Sequence, residues 1–342
     1  MKTTKGVGNV ELQEVKVPRP ASDEVLLEIL ATGICGTDLH IKHDSTFYKP
    51  PIVLGHEYVG KVVETGDAVT DIQVGDRVVS PPRAHCGHCY QCMTGHVNRC
   101  TATGQRILGF TVNGSFAKYL TVPGYILHRV PPNVSLDEAA LAEPTACVVH
   151  AIVDNNLVRP GDVVVVQGPG PIGLLAVQIS KVMGAGKVIV TGTTSDTTRL
   201  DIAKATGADL IINVDTESDP LGLVQEHSNG LGADTVIEAS GALRAGNQAL
   251  EFVRVAGRIS IIGIIGGPTE MNIDLMAEKE LKMSGTWGSI PSAWVTTLRL
   301  MSQKLIDVRP LITHRIALDD WERGFELLET QQAVKVIFAD LD

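Results

Sequence analysis

The stretch VVVVQGPGPIG, residues 163–173, decides the fold of this chain. Val163–Gln167 is a continuous apolar run, which is typical of a strand buried on both faces of a sheet. Helical spacing follows from Ile172 to Met183. The glycines between them permit a tight turn, and the helix N-terminus presents free N–H groups to an anion. A strand, a glycine-rich turn and a helix in this order predict a dinucleotide site; the alternative is a glycine-rich turn without a ligand.

Strand and helix patterns alternate downstream of this turn. The next predicted strands are Lys187–Thr191, Leu210–Asn213, Thr235–Glu238 and Arg258–Ile262. Such alternation predicts right-handed βαβ units and a doubly wound parallel sheet, so the fold class is α/β. Residues 1–150 differ, because short apolar runs there recur between glycine- and proline-rich turns. They predict a mostly β domain, and the tail after about Leu281 returns to strand patterns around a helix.

Composition excludes several classes of partner. The net charge of −10 disfavours nucleic acid or an anionic membrane as the main partner, because both need a basic surface. The N-terminus has no apolar core of a signal peptide, and no apolar run reaches the roughly 18 residues of a membrane span. We therefore expect a cytoplasmic protein.

Four of the six cysteines lie between Cys86 and Cys100. In a reducing compartment such a cluster predicts metal binding; two disulfides or a redox relay are the alternatives. Four thiolates complete the tetrahedral shell of zinc, which is typical of a structural site. The ligands assigned to this site are Cys86, Cys89, Cys92 and Cys100, with the neighbouring histidines interpreted as bystanders.

A second ligand set is dispersed over three segments: Cys35 to His40, Gly55 to Glu57, and Ala142 to Pro144. Cysteine, histidine and carboxylate are the ligands of an open catalytic zinc, which keeps a position for water or alcohol. Each segment alone is unremarkable, since Cys35 also fits a small buried residue and Glu57 a surface charge. Their occurrence upstream of the dinucleotide motif favours a second metal site.

The cofactor-binding set begins with the glycine-rich turn itself. Its members there are Gly168, Gly170, Pro171, Ile172 and Gly173. An NAD site usually has an acidic residue about 20 positions further on, at the end of the second strand, where this chain has Gly192. Asp196 follows and is assigned to the ribose, with a helix N-cap as the alternative. The remaining assigned residues are Thr193, Thr194, Arg199 and Lys335. Because no cation directly follows the strand, NAD is slightly favoured over NADP.

These motifs together carry a family resemblance. The relevant segments are ICGTDLH at 34–40, LGHEYVGKVVETG at 54–66, VGDRV at 74–78, AEPTACVVHA at 142–151, GPGPIG at 168–173, PLITHR at 310–315, and the four-cysteine lobe. The chain resembles the zinc-containing medium-chain alcohol dehydrogenases, nearest to the sorbitol (polyol) and threonine dehydrogenase branch. The resemblance covers essentially the whole chain.

The resemblance implies a GroES-like catalytic domain of residues 1–150 and 286–342, with the structural zinc lobe at 86–100 and a Rossmann domain at 151–285. It implies that Cys35, His56, Glu57 and Glu143 serve the catalytic zinc, with Asp38 orienting His56. Two zinc ions per chain and a homodimer or homotetramer are implied as well.

The resemblance also assigns the catalytic chemistry. Thr37 accepts the hydroxyl hydrogen of the alcohol and passes the proton towards His40, Glu57 joins them as a catalytic residue, and hydride goes to the nicotinamide. The expected reaction oxidises a secondary alcohol, a polyol such as sorbitol, iditol or galactitol, to a ketone. Trp287 and Ser289 stand where sorbitol dehydrogenases tend to carry Arg and Tyr. A threonine 3-dehydrogenase, a zinc-free reductase and a non-enzymatic zinc- or dinucleotide-binding protein are the alternatives.

Overall fold

The computed structural model describes residues 1–102 and 106–341. It divides into two compact units. The first contains Met1–Ala146, Gly288–Gln303 and Ile312–Asp342, and the second contains Cys147–Trp287 and Lys304–Leu311. The chain thus crosses between the units at 146/147 and 287/288, and twice more at 303/304 and 311/312.

The strands and helices are numbered in chain order. The strands are β1 (Glu24–Gly33), β2 (Glu57–Thr65), β3 (Arg77–Val79), β4 (Tyr119–Pro123), β5 (His128–Arg129), β6 (Val163–Gln167), β7 (Lys187–Gly192), β8 (Leu210–Asn213), β9 (Ala233–Glu238), β10 (Val253–Ile261), β11 (Lys282–Gly285), β12 (Ile312–Ala317) and β13 (Lys335–Asp340). The α-helices are α1 (Gly36–Lys42), α2 (Tyr90–Met93), α3 (Leu136–Ala140), α4 (Ala142–Val149), α5 (Pro171–Val182), α6 (Thr197–Ala205), α7 (Pro220–Glu226), α8 (Ala245–Phe252), α9 (Asp274–Glu278), α10 (Pro291–Ser302) and α11 (Trp321–Glu329).

The second unit is built on a parallel sheet with the strand order β11-β10-β9-β6-β7-β8. This is the doubly wound order of dinucleotide-binding folds, in which the chain reverses its direction of winding beside the first strand. β6 is that central first strand, and Val164, Val165 and Val166 are fully buried in it. The continuous apolar run of the sequence is therefore explained by cover on both faces of the sheet.

The first unit contains a mixed sheet in which β12, β13, β1, β2, β3 and β5 are neighbours in that order, with β4 also paired to β1. Its strands pair antiparallel except for β12 and β13. β13 therefore brings the C-terminal segment against β1, although the two strands are far apart in the sequence. The core between this sheet and its covering segments includes Val25, Leu27, Tyr58, Phe325 and Phe338.

The predicted α/β class with a mostly β partner domain is confirmed. The predicted strand at Val163–Gln167 has the same bounds in the structure, and the predicted helix from Ile172 is observed at Pro171–Val182. The helical pattern at Ala139–Val153 comprises α3, α4 and a π-helical turn at His150–Asp154. No helix in the described part of the chain combines the length and apolar character that crossing a bilayer requires.

Candidate active site and metal centres

Three ligand types converge in the first unit. Cys35, His56 and Glu57 each place a ligand atom within 4.8 Å of the ligand atoms of the other two. Cys35 precedes α1 directly, whereas His56 and Glu57 lie at the start of β2. The pairing of β1 with β2 sets Gly33 opposite Glu57 and so brings these two segments together. Sulfur, imidazole and carboxylate at this spacing fit a zinc ion.

Asp38 ties the two segments to each other. Its Oδ2 accepts a hydrogen bond from the Cys35 N–H at 3.0 Å, and its Oδ1 accepts one from the Gly55 N–H at 3.2 Å. The same Oδ1 lies 3.9 Å from Nδ1 of His56, a buried atom without a hydrogen-bond partner among the described residues. Asp38 is itself fully buried. This carboxylate is placed to orient the imidazole, as expected for a residue behind a metal ligand.

The electrostatics of this cluster favour a cation. Burial opposes protonation of His56, but the negative charges of Cys35, Asp38 and Glu143 outweigh it and raise the pKa of His56 to about 10. Burial raises the pKa of Asp38, and the positive charge of His56 partly offsets this. Buried negative charge of this kind is costly unless it is compensated, and a divalent metal ion provides that compensation.

Glu57 is held by a lysine from the C-terminal segment. The Lys335 ammonium lies 2.9 and 2.7 Å from the two carboxylate oxygens of Glu57 and donates to the carbonyl of Ile34 at 3.0 Å. Both side chains are almost fully buried. Burial works against the charge of Lys335, but the neighbouring carboxylate outweighs it and raises its pKa. Gly33 leaves space for this carboxylate, because a Cβ there would lie 2.5 Å from Glu57 Oε2.

The two residues predicted to relay the proton lie on α1. The Thr37 hydroxyl oxygen is 3.6 Å from the Cys35 sulfur, which places it beside the metal ligands. His40 lies one turn further on, with Nδ1 3.2 Å from the Ser45 hydroxyl oxygen. Since residues three apart share one face of a helix, Thr37 and His40 point in the same general direction.

The four-cysteine lobe has the geometry of a closed zinc site. Cys86, Cys89, Cys92 and Cys100 lie with all four sulfurs within 4.8 Å of one another. Two of the sulfur pairs are 3.9 Å apart, close to the roughly 3.8 Å expected around tetrahedral zinc with bonds of about 2.3 Å. A disulfide needs about 2.05 Å, so neither of these two pairs is bonded as a disulfide in the structure.

The glycine-rich turn of the second unit has the expected conformation. Gly168 has φ of +89°, and a Cβ there would lie 2.6 Å from the Cβ of Ser240. A Cβ on Gly173 would lie 1.9 Å from the Gly168 carbonyl oxygen, so this glycine allows close packing of α5 on the turn. At Gly170 a Cβ would meet nothing within 4 Å, which leaves the backbone open to a ligand. Pro171 has no N–H and begins α5, so the free N–H groups at this end of the helix start with Ile172.

The loop after β7 is closed by two carboxylates. Asp196 Oδ2 accepts hydrogen bonds from the N–H and hydroxyl of Thr193 at 3.0 and 2.8 Å, and its Oδ1 lies 3.5 Å from Arg199. Its side chain makes no capping bond to α6. The N–H of Thr194 donates to Asp215 at 2.8 Å, and Asp215 comes from the end of the neighbouring β8. Sequence reasoning missed Asp215, because only the pairing of β7 with β8 brings it to this loop.

Two aromatic residues beside the metal cluster were also missed. The Phe110 ring lies 5.3 Å from the His56 ring between centroids, and Phe47 lies 5.4 Å from Phe110. Phe47 is 41% exposed, so together with Phe110 it forms an apolar surface beside this cluster. Neither residue belongs to a motif, and no local signal in the sequence marks them. Ser289, in contrast, is buried and accepts a hydrogen bond from Trp294 at 2.9 Å.

Comparison with known proteins identifies the family. Residues 21–132 match the alcohol dehydrogenase GroES-like domain, and residues 171–303 match the zinc-binding dehydrogenase family. The chain is 37% identical to a sorbitol dehydrogenase of Halalkalibacterium halodurans, covering 100% of this chain and 99% of the relative. It is also 37% identical to an L-threonine 3-dehydrogenase of Pyrococcus furiosus, covering 99% and 97%.

Solved structures agree with this result. A protein of Sinorhizobium meliloti 1021 assigned as a zinc-binding dehydrogenase, solved with NADP bound, is 31% identical. It superposes with a TM-score of 0.89, covering 98% of this chain and 97% of that protein. The chain therefore belongs to the zinc-containing medium-chain alcohol dehydrogenase superfamily, in its polyol and threonine dehydrogenase branch. It is an alcohol dehydrogenase that uses zinc and a nicotinamide dinucleotide.

Proposed function

We propose that this enzyme oxidises a secondary hydroxyl group of a polyol to a ketone. The observation that carries the proposal is the convergence of Cys35, His56 and Glu57 beside Thr37. The sorbitol dehydrogenase relative supports a polyol as the substrate class. The Phe47–Phe110 surface beside the cluster supplies an apolar contact for the carbon chain of such a substrate.

We assign two zinc ions to each chain. Cys86, Cys89, Cys92 and Cys100 hold one, and no ligand position remains open there, so its role is structural. Cys35 and His56 hold the other. Glu57 also lies within ligand distance of both, but Lys335 engages both of its oxygens. We therefore assign the further ligand position to Glu143, directly or through water. The negative charge of Glu143 on His56 supports this assignment.

The chemistry divides between the bound groups and the protein. When bound, zinc lowers the pKa of the alcohol hydroxyl, and the nicotinamide ring accepts the hydride from the carbinol carbon. Thr37 accepts the hydroxyl hydrogen of the alcohol and gives up its own proton towards His40. His40 is partly exposed and releases the proton to solvent. Asp38 and Lys335 keep His56 and Glu57 in position throughout.

The second unit binds the dinucleotide in this proposal. The open backbone at Gly170 and the N-terminus of α5 receive the pyrophosphate. NAD is preferred over NADP, because a 2′-phosphate would meet Asp196 and Asp215 at the loop after β7. Arg199 is the nearest cation of this loop, and its Nη1 already faces Asp196.

A threonine-type amino-alcohol dehydrogenase is the second candidate, and the Pyrococcus relative favours it. The proton relay and zinc ligands would serve either substrate. A threonine enzyme additionally needs a cation for the substrate carboxylate. Lys335, a buried cation beside the metal cluster, is already paired with Glu57. This contact favours the uncharged polyol.

The deciding experiment is a substrate panel with the purified protein. Sorbitol, iditol, galactitol, 2-propanol and L-threonine are each assayed with NAD and with NADP by the absorbance of the reduced cofactor. We expect the highest kcat/KM for a polyol with NAD. A kcat/KM for threonine tenfold above every polyol would overturn the polyol assignment, and the absence of cofactor reduction with all of them would overturn both candidates. Thr37→Val serves as the inactive control.

We further propose a cytoplasmic location and a homodimer or homotetramer. Six cysteines without a disulfide among them are typical of a protein from a reducing compartment. The family resemblance supports the assembly. Size-exclusion chromatography with light scattering measures the assembly directly; a monomeric mass near 36.5 kDa would contradict it.

A further inference from the structure

Ser45 contacts His40 in two ways. The Ser45 hydroxyl oxygen lies 3.1 Å from the carbonyl oxygen of His40 and 3.2 Å from its Nδ1. The Ser45 backbone N–H donates to the same carbonyl at 2.9 Å, which fixes the turn that brings the two side chains together. Ser45 lies three residues beyond the end of α1, outside every motif of the sequence analysis.

The Ser45 hydroxyl has two acceptors within reach for its hydrogen, the His40 carbonyl oxygen and Nδ1. A serine hydroxyl has one hydrogen, whereas a carbonyl oxygen only accepts. Once the Ser45 hydrogen is donated to the His40 carbonyl, the hydroxyl oxygen faces Nδ1 as an acceptor. In a neutral imidazole one nitrogen carries the hydrogen and the other carries a lone pair. In that arrangement Nδ1 is the protonated nitrogen, and Nε2 carries the lone pair.

We propose that Ser45 is a positioning residue that holds His40 in the Nδ1–H tautomer, so that Nε2 is the base of the proton relay. This inference rests on the proposed function. Nε2 takes up the proton that leaves Thr37, and the ring becomes an imidazolium with Nδ1–H still bonded to Ser45. Deprotonation of Nε2 by solvent water then restores the starting tautomer. One N–H bond forms and one breaks in each cycle, and no other reactant is needed.

The matched variants follow from the contacts. Ser45→Ala removes the hydroxyl, while the backbone N–H bond to the His40 carbonyl remains. Ser45→Thr retains the hydroxyl and should restore the wild-type behaviour. Thr46→Ala, at the next position, is the control: it also removes a hydroxyl, and the described residues show no hydrogen bond between that hydroxyl and His40.

The primary measurement is the tautomer itself. Long-range ¹H–¹⁵N spectra of histidine-labelled, zinc-loaded protein report which ring nitrogen carries hydrogen, and His40→Asn identifies the signals of His40. We expect Nδ1–H in the wild type, in Ser45→Thr and in Thr46→Ala. Ser45→Ala should shift the population towards Nε2–H. An Nε2–H tautomer in the wild type, or an unchanged ring in Ser45→Ala, would overturn the proposal.

Kinetics provide the second measurement. We expect kcat of Ser45→Ala near neutral pH to fall about fivefold, which corresponds to the net free energy of one hydrogen bond. KM for the cofactor should not change. Ser45→Thr should recover kcat. An unchanged kcat in Ser45→Ala would contradict the role of the tautomer in turnover. Normal activity of His40→Asn would instead overturn the relay of the proposed function, while the spectra still decide the tautomer.

Discussion

The Lys335 ammonium and the Glu57 carboxylate form a buried ion pair, at 2.9 and 2.7 Å between Nζ and the two oxygens. Removing one partner of such a pair leaves an uncompensated charge and costs about 3–5 kcal/mol. We therefore expect Lys335→Met to lower the free energy of unfolding by about that amount in urea titrations. The double variant Lys335→Met/Glu57→Gln should recover most of the loss.

An exposed ion pair provides the control for this prediction. Lys42 pairs with Glu329 at 2.9 Å, with both side chains about one quarter exposed. Lys42→Met should cost no more than about 1 kcal/mol. Equal losses of unfolding free energy in Lys335→Met and Lys42→Met would show that burial of the Lys335–Glu57 pair does not determine how much it stabilises the fold.

We expect about two zinc ions per chain by elemental analysis. Cys89→Ser should lower this count to about one and reduce the stability of the fold, because structural zinc contributes folding free energy. Cys35→Ser should abolish turnover with little change in the melting temperature. Cys147 belongs to neither cluster, so Cys147→Ser is the matched control and should retain both ions. A wild-type count near one would contradict the assignment of two sites.

The proton relay predicts that substitution of its two members lowers kcat by different amounts. Thr37→Val preserves the shape of the side chain without the hydroxyl, and we expect kcat to fall by about a hundredfold or more while the cofactor still binds. His40→Ala should lower kcat by a smaller factor. At high pH this factor should be smaller still, because hydroxide replaces the imidazole as the proton acceptor. Fluorescence of bound reduced cofactor measures binding independently of turnover. Normal turnover in Thr37→Val would eliminate the relay.

Cofactor preference tests the loop after β7. Asp215→Asn removes a negative charge that contacts the Thr194 N–H, and Asp196→Asn removes one whose Oδ1 lies 3.5 Å from Arg199. We expect NADP binding to improve in both variants, and more in Asp215→Asn, since no cation lies at its carboxylate in the described contacts. Dissociation constants for NAD and NADP from calorimetry give the ratio.

Glu217→Gln is the control, because this nearby carboxylate faces Ser218 and Asp219 instead. A wild type that prefers NADP tenfold, about 1.4 kcal/mol, would contradict the proposed preference.

His128 predicts a pH dependence of stability. It stacks on Trp294 with centroids 5.5 Å apart, and burial lowers its pKa to about 4 from 6.5. The unfolded chain takes up this proton below about pH 6.5, whereas the folded chain does so only near pH 4, so the folded state loses stability as the pH falls through this interval. Between pH 7 and pH 5 this group should account for a loss of about 1–2 kcal/mol. His128→Phe, which retains an aromatic ring against Trp294, should remove that part of the dependence in urea unfolding. Parallel pH profiles of the variant and the wild type would contradict it.

The sequence alone predicted the features that depend on neighbouring residues. Val163–Gln167 and the turn from Gly168 to Gly173 are encoded by short-range sterics, since each glycine sits where a Cβ would clash or where the backbone must stay open. The four-cysteine lobe is likewise local, because its ligands lie within residues 86–100 and a short loop brings them together. The dispersed ligands Cys35 and His56 were recognised by residue type, and family resemblance assigned their individual roles.

Only the tertiary structure decided which distant side chains meet. Lys335 and Glu57 are 278 positions apart, and they meet because β13 and β2 both flank β1. Asp215 reaches Thr194 through the pairing of β8 with β7. No local pattern encodes such contacts, since strand order and register are fixed by burial of the whole sheet. The sequence therefore determined which elements form and which chemistry they carry, and the packing of those elements decided which charges are buried together and which atoms face one another.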